Sequence, residues 1–119
     1  MSTETTASVS THILDTSAGR PAEGVAVHLS ARQGSHAPWQ TLGGSATDAD
    51  GRCKDLPALP EGTTHVRLDF AVEPYFEESA SRTSAFFPEV AVTFAVVPGE
   101  HHHVPLLLNP FGYSVYRGS

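Results

Sequence analysis

The sequence has little cysteine, little positive charge and no long apolar run. One cysteine, Cys53, excludes an internal disulfide and fits a reducing compartment. Standing alone, it reads as a small semi-buried strand residue rather than a nucleophile. Lys and Arg number 7 against 13 Asp and Glu, charged residues make up 17%, and the formal net charge is −6 with histidine neutral. A nucleic-acid binder needs clustered cations to displace counterions, so that class is excluded. No apolar run approaches the ~20 residues that cross a bilayer as a helix. The opening MSTETTASVS has neither a basic region nor an apolar run, so it does not read as a secretory signal. The ending Arg117-Gly118-Ser119 is not a peroxisomal address of the Ser-Lys-Leu type. The expected location is the cytoplasm. GxSxG, HExxH, CxxC, phosphate-loop and dinucleotide glycine patterns are all missing. So is any βαβ alternation, which rules out a doubly wound sheet.

What the sequence does have is histidine, 7 in 119 residues, three of them consecutive at His101-His102-His103. The run is short and leads into a strand, so it does not read as a purification tag. At this length the chain is one domain with one real core. Met1–Ala7 is small and polar and is expected to be a disordered tail, leaving 8–119 as the folded domain. Alternating apolar residues and turn clusters predict about eight short strands: Ser8–Asp15, Val25–Gln33, Trp39–Ala46, Arg52–Leu56, Thr63–Val72, Glu89–Val97, Val104–Leu108 and Tyr113–Tyr116. Thr16–Pro21 reads as a turn or loop. Gly43-Gly44 predicts a bulge or close backbone approach, and one short helix is predicted around Phe76–Ser81. The pattern is all-β, an eight-stranded two-sheet sandwich.

The same alternation sorts side chains by face. In the last segments, His102, Val104, Leu106 and Leu108 fall on the core face, and His101, His103, Pro105 and Leu107 on the other. In the first strand, Val9, Thr11 and Ile13 face inward, and Ser10, His12 and Leu14 outward. Val25, Val27 and Leu29 point inward, with Ala26, His28 and Ser30 outward, so His28 reads as a solvated strand histidine. Thr47-Asp48-Ala49-Asp50-Gly51-Arg52 is strong turn chemistry. Its Asp-x-Asp-Gly start also begins a calcium loop, but Leu59 stands where the bidentate Glu belongs. Histidines beside Leu14, Pro105 and Leu107 on a face away from the core imply a surface buried against another subunit.

Four separated segments, Ser10–Asp15 (STHILD), Thr47–Arg52 (TDADGR), His101–Leu108 (HHHVPLLL) and Tyr116–Ser119 (YRGS), together resemble the 5-hydroxyisourate hydrolases, the enzyme branch of the transthyretin-like family. Tyr75-Phe76 and Phe86-Phe87-Pro88 are also similar to that family. The YRGS ending is the most specific part, since it separates the hydrolases from the hormone carriers. Asn109 and Phe111 depart from the family pattern in the turn before the last strand. The resemblance implies a transthyretin-like sandwich, a homotetramer built as a dimer of dimers, and active sites in the channel at the dimer–dimer interface. It implies catalytic roles for His12, Arg52, His103 and Ser119, with His101, Tyr116, Leu14 and Ser114 as substrate-binding neighbours. The implied substrate is a small molecule, 5-hydroxyisourate, and the implied reaction needs no metal and no organic cofactor.

Hydrolytic opening of a cyclic amide requires an activated water, stabilisation of an oxyanion and a proton for the leaving nitrogen. Imidazole suits the first task near neutral pH; the sequence leaves His103 and His12 both open as the group that activates water. Arg52 offers a planar fork of donors to substrate carbonyls and to the oxyanion. Ser119 could orient a histidine or the substrate. Two other readings use the same residues: a transthyretin-type carrier of a small ligand, and a metal site of His12, His101 and His103. A carrier has no need for two polarising histidines, an arginine and a fixed C-terminus.

Overall fold

The computed structural model describes residues 6–79 and 83–119. Among these, eight strands and one helix follow in the order β1 (Ser8–Asp15), β2 (Arg20–Pro21), β3 (Ala26–Arg32), β4 (Gln40–Ala46), β5 (His65–Ala71), α1 (Val72–Glu78), β6 (Glu89–Ala95), β7 (His101–Asn109) and β8 (Gly112–Val115). They form two four-stranded sheets, β2-β1-β7-β8 and β4-β3-β5-β6. The expected all-β sandwich is therefore present. Ile13, Leu106 and Leu108 from the first sheet meet Val27, Leu29, Val66, Leu68, Phe70 and Val90 from the second, each at most 1% exposed. Each such side chain contributes about 1.5–3 kcal/mol on burial.

The expected alternation holds on the strands that matter for the site. On β7, His102, Val104, Leu106 and Leu108 are all under 5% exposed. The bulge expected at Gly43-Gly44 is present: Leu29 pairs with Gly43 but Ser30 with Thr41, leaving Leu42 as the extra residue. Ser30, expected outward, is 2% exposed. It is flanked across the sheet by Thr41 of β4 and Arg67 of β5.

Three segments differ from expectation for local reasons. Arg20–Pro21, read as loop, is a two-residue strand on Leu14 and Asp15, too short to show a period. Arg52–Leu56, read as a strand, keeps one bridge, Arg52 to His12. Asp48 closes the turn that leads into it by accepting from the Asp50 and Arg52 amides at 2.9 and 3.1 Å. The helix starts at Val72 rather than near Phe76, and Ser81 of the expected range lies outside the described residues. Pro74 sits in its first turn, where a missing N–H removes no helical bond. The free amides of Val72 and Glu73 donate to the Pro88 carbonyl at 3.1 and 2.9 Å. The expected tail, 1–7, lies outside the described residues for 1–5. Ala7 is packed at 6% exposure, and Thr6 accepts from the Gly99 amide at 3.1 Å.

Asp15, 3% exposed at the end of β1, anchors this end of the sheet. Its carboxylate accepts from the Ser17 amide at 3.0 Å, the Ser17 hydroxyl at 2.5 Å, the Ala18 amide at 3.1 Å and the Tyr75 hydroxyl at 2.6 Å. Burial pushes its pKa up, but the bonds from Ser17, Tyr75 and Ala18 outweigh this and hold it below the ordinary 3.8. Burial and the same carboxylate push Tyr75 up. Replacing Asp15 with Ala strands the Tyr75 hydroxyl and two turn amides, and is expected to cost about 1.5–3 kcal/mol in urea unfolding. Because the folded pKa is depressed, this contribution is full above the ordinary 3.8 and is lost as pH falls through the folded value. The difference between wild type and Asp15→Ala should therefore shrink in acid.

Candidate functional site

The site is a grid of side chains set by strand register. β1 and β7 pair in parallel, Ser8 with His101, Ser10 with His103, His12 with Pro105 and Leu14 with Leu107. β8 runs antiparallel on the far side of β7, with Ser114 opposite Leu107, and the same register carries on to a bridge between His103 and Gly118. Arg52 bridges to His12 on the near side. The outer face therefore reads in rows across the sheet: Ser8 and His101; Ser10, His103 and Gly118; Arg52, His12, Pro105 and, by register, Tyr116; then Leu14, Leu107 and Ser114. Strands lie about 5 Å apart and same-face rows about 7 Å apart, so a ligand of one or two rings spans the two central rows.

Pro105 shapes the end of this grid. It has no N–H to give to the neighbouring chain, and the regular ladder of β8 stops at Val115, one residue before the position opposite Pro105. Pairing resumes where the Gly118 amide donates to the His103 carbonyl at 2.8 Å. The close approach needs glycine: a Cβ on Gly118 would lie 2.5 Å from His103 Cδ2 and 3.1 Å from Pro105 Cγ. Pro105, expected on an open outer face, is buried within the chain itself. Ser119 follows Gly118 and is exposed, as are Tyr116 and Ser114, while Leu14 and Leu107 are half-buried.

Arg52 is delivered by the turn that the sequence signalled. The Gly51 amide donates to the Asp48 carbonyl at 2.9 Å, and the Ile13 amide donates to the Gly51 carbonyl at 2.8 Å. Gly51 has φ +78°, and a Cβ there would collide with the Ile13 carbonyl oxygen. Only glycine fits this left-handed position against β1. The calcium-loop start thus serves as a backbone turn, and Leu59 lies in the core at 6% exposure. Cys53, next to Arg52, is 8% exposed, and burial pushes its thiol pKa up, away from nucleophilic chemistry.

His103 lies at the centre and is held below its ordinary pKa of 6.5, first by burial, then by the charges of Arg52, His12 and His101. Its Nδ1 is 2.7 Å from Ser10 Oγ. The same hydroxyl is 2.8 Å from His101 Nε2, and His101 Nδ1 is 2.7 Å from Ser8 Oγ. Ser8 and Ser10 are site residues that the sequence reading did not single out. Ser10 was legible as sharing a face with His12, but nothing local announces that β1 lies beside β7. His102 points the other way: its Nδ1 faces the Ser8 carbonyl at 3.3 Å and its Nε2 accepts from the Val97 amide at 3.2 Å.

The structure thus brings His12, Arg52, His101, His103 and Gly118 onto one face with Leu14 and Ser114, while Tyr116 stands opposite Pro105 by register alone and Ser119 follows Gly118 in the chain. Among the described residues no group of three or more His, Cys, Asp or Glu stands where it could hold a metal. Both ring nitrogens of His101 lie within hydrogen-bond distance of serine hydroxyls. The face is an open sheet surface in the single chain. A larger concavity of about 600 Å³ lies beside Arg20, Tyr75 and Glu78, at the sheet end opposite His101, and holds none of these histidines.

Residues 9–118 match the model of the HIUase/Transthyretin family. A 5-hydroxyisourate hydrolase of Caulobacter vibrioides is 42% identical over 114 residues, 93% of this chain and 97% of the relative. The solved structure of Klebsiella pneumoniae 5-hydroxyisourate hydrolase is 38% identical, with a TM-score of 0.74 over 93% of this chain and 98% of that one. Transthyretin from Sparus aurata is 27% identical, with a TM-score of 0.81 over 92% of this chain and 95% of that one.

Proposed function

Because the chain belongs to the HIUase/Transthyretin family, we propose that it hydrolyses 5-hydroxyisourate to 2-oxo-4-hydroxy-4-carboxy-5-ureidoimidazoline, a step of urate degradation. The observation that supports this over the carrier reading is His103, with its pKa lowered by burial, Arg52, His12 and His101, on a face that also presents that arginine. A ligand carrier gains nothing from an imidazole held in its basic form beside a guanidinium. In this reading His103 takes a proton from water as the oxygen attacks the ring carbonyl. Arg52 donates hydrogen bonds to the oxyanion. The carbon–nitrogen bond then breaks, and the leaving nitrogen receives the proton from His103 or His12. His101, Tyr116, Leu14, Ser114 and Ser119 line the substrate's rim. The chemistry uses the protein's own side chains and no metal or cofactor.

The test is direct. 5-Hydroxyisourate is generated from urate, and its ultraviolet absorbance is followed with and without the protein and with a chelator. Faster decay that survives chelator is the expected result. No acceleration, with the substrate instead bound intact, would favour the carrier.

The lowered pKa of His103 sets the pH dependence. The folded protein holds His103 unprotonated below the ordinary 6.5, so the acid limb of kcat/KM should have its midpoint below that value. A profile measured from pH 5 to 8 with its acid midpoint above 6.5 contradicts the assignment of His103 as base. The same depression lowers stability as pH falls, since the unfolded chain then binds the proton that the folded chain resists.

The reading includes a homotetramer in a cytoplasmic setting. Both β6 and β8 are sheet edges, and Phe86, Phe87, Tyr113 and Tyr116 are 71%, 39%, 44% and 55% exposed. Edges with exposed aromatic residues favour strand-to-strand pairing of subunits. The histidine face, open in one chain, would gain its opposite wall from a second pair. Activity per subunit should therefore fall when sedimentation shows the assembly dissociating. An active monomer at assay concentration would rule out a site completed at the interface.

A further inference from the structure

The Ser10 hydroxyl lies within hydrogen-bond distance of two histidines, and its single proton constrains which atom of His103 is the base. Ser10 Oγ lies 2.7 Å from His103 Nδ1 and 2.8 Å from His101 Nε2, and His101 Nδ1 lies 2.7 Å from Ser8 Oγ. A hydroxyl can donate to one ring nitrogen only, and a neutral imidazole has one N–H and one lone pair. Two arrangements fill all three contacts and leave the Ser10 proton with an acceptor. In the first, Ser10 donates to His101 Nε2, His101 Nδ1–H donates to Ser8, and His103 Nδ1–H donates to Ser10. His103 Nε2 is then a bare lone pair. In the second, every bond is reversed and His103 carries its hydrogen on Nε2. Only the first leaves His103 able to accept a proton at Nε2. It is also the arrangement that survives protonation, because an imidazolium keeps the Nδ1–H bond to Ser10 and strengthens it through charge.

We propose that Ser10 is a positioning residue: anchored by His101 and Ser8, it holds His103 as the Nδ1–H tautomer, with Nε2 as the basic atom, and stabilises the imidazolium formed during hydrolysis. This rests on the hydrolase reading, which selects the arrangement with a basic Nε2 from the two that the distances allow. The groups facing His103 are Ser10 and His12 on β1, His101 on its own strand, Arg52 from the turn and the Gly118-Ser119 segment. Arg52, as a cation, disfavours the imidazolium; Ser10 supplies the opposing interaction.

The experiment pairs nitrogen NMR of the histidine rings with steady-state kinetics on wild type, Ser10→Ala and Ser10→Thr, all checked for folding by circular dichroism. In wild type, His103 should show a protonated Nδ1 and a bare Nε2. In Ser10→Ala the tautomer should shift towards Nε2–H, and kcat should fall about 10–100-fold, the loss of one charge-assisted bond, with KM little changed. Ser10→Thr keeps the hydroxyl and should restore the tautomer and most of kcat. A wild-type His103 found with its hydrogen on Nε2 overturns the proposal without any variant. So does a Ser10→Ala protein with an unaltered tautomer, or one that loses only in KM. If the wild type does not hydrolyse 5-hydroxyisourate, the functional reading fails, and the tautomer measurement still decides the role of Ser10.

Discussion

His103→Ala is expected to lower the rate of 5-hydroxyisourate hydrolysis by about 10²–10⁴-fold, the range for a positioned acid–base group. The fold should be kept, because the ring lies on the outer face of β7 while Val104, Leu106 and Leu108 hold the core side at 4%, 0% and 1% exposure. The matched control is His28→Ala. His28 is also an outward strand histidine, but on β3 in the other sheet and exposed. Its replacement should leave activity near wild type and change stability by no more than about 0.5 kcal/mol. Similar losses in both folded variants would mean that the outer face of the first sheet is not the site.

Gly118→Ala should lower activity by about 10²-fold, the penalty for moving a reacting group by roughly 1 Å. The new methyl would lie 2.5 Å from His103 Cδ2 and 3.3 Å from Cγ. An aromatic ring held at Nδ1 by Ser10 cannot yield as a flexible chain end would, so either the ring turns or the Gly118 bridge opens. Little stability should be lost, since the bridge is one backbone bond at the rim of the sheet. The check is thermal unfolding beside kinetics. Loss of activity at nearly unchanged midpoint supports a site held by the chain's last residues. Full activity means that the 116–119 segment moves freely of His103.

Much of this architecture was legible because burial imposes a period of two. The inward set of β7 and the outward pair His101 and His103 follow from alternation alone, and the turn delivering Arg52 follows from Asp48 and Gly51. What alternation cannot encode is the neighbour of each strand. No local turn joins β1 to β7, so Ser8 and Ser10 stayed invisible as partners of His101 and His103. Arg20–Pro21 was missed because two residues have no period. Arg52–Leu56 looked extended, but only Arg52 finds a strand partner, His12, where the turn built on Asp48 delivers it, and among the described residues those after it pair with no strand. The helix start was placed late because its first amides are satisfied from outside, by the Pro88 carbonyl. The resemblance across four segments named candidate site residues; the register explains how His12, Arg52, His101 and His103 come to share one face.

The β1–β7 ladder joins residues 93 positions apart, from Ser8 with His101 onward. Closing a loop of that length costs about 4 kcal/mol of chain entropy before the ladder returns any stabilisation. Such non-local pairing places folding among the slower, millisecond-to-second class. During synthesis, at ~5–20 residues per second, β1 waits roughly 5–20 s for its partner to be made. For that interval the edge of β1 that β7 will cover is unpaired, the kind of edge at which chains aggregate. Ser8, Ser10 and His12 give the waiting strand one polar face, and a polar face disfavours the chain-to-chain packing that an open edge invites.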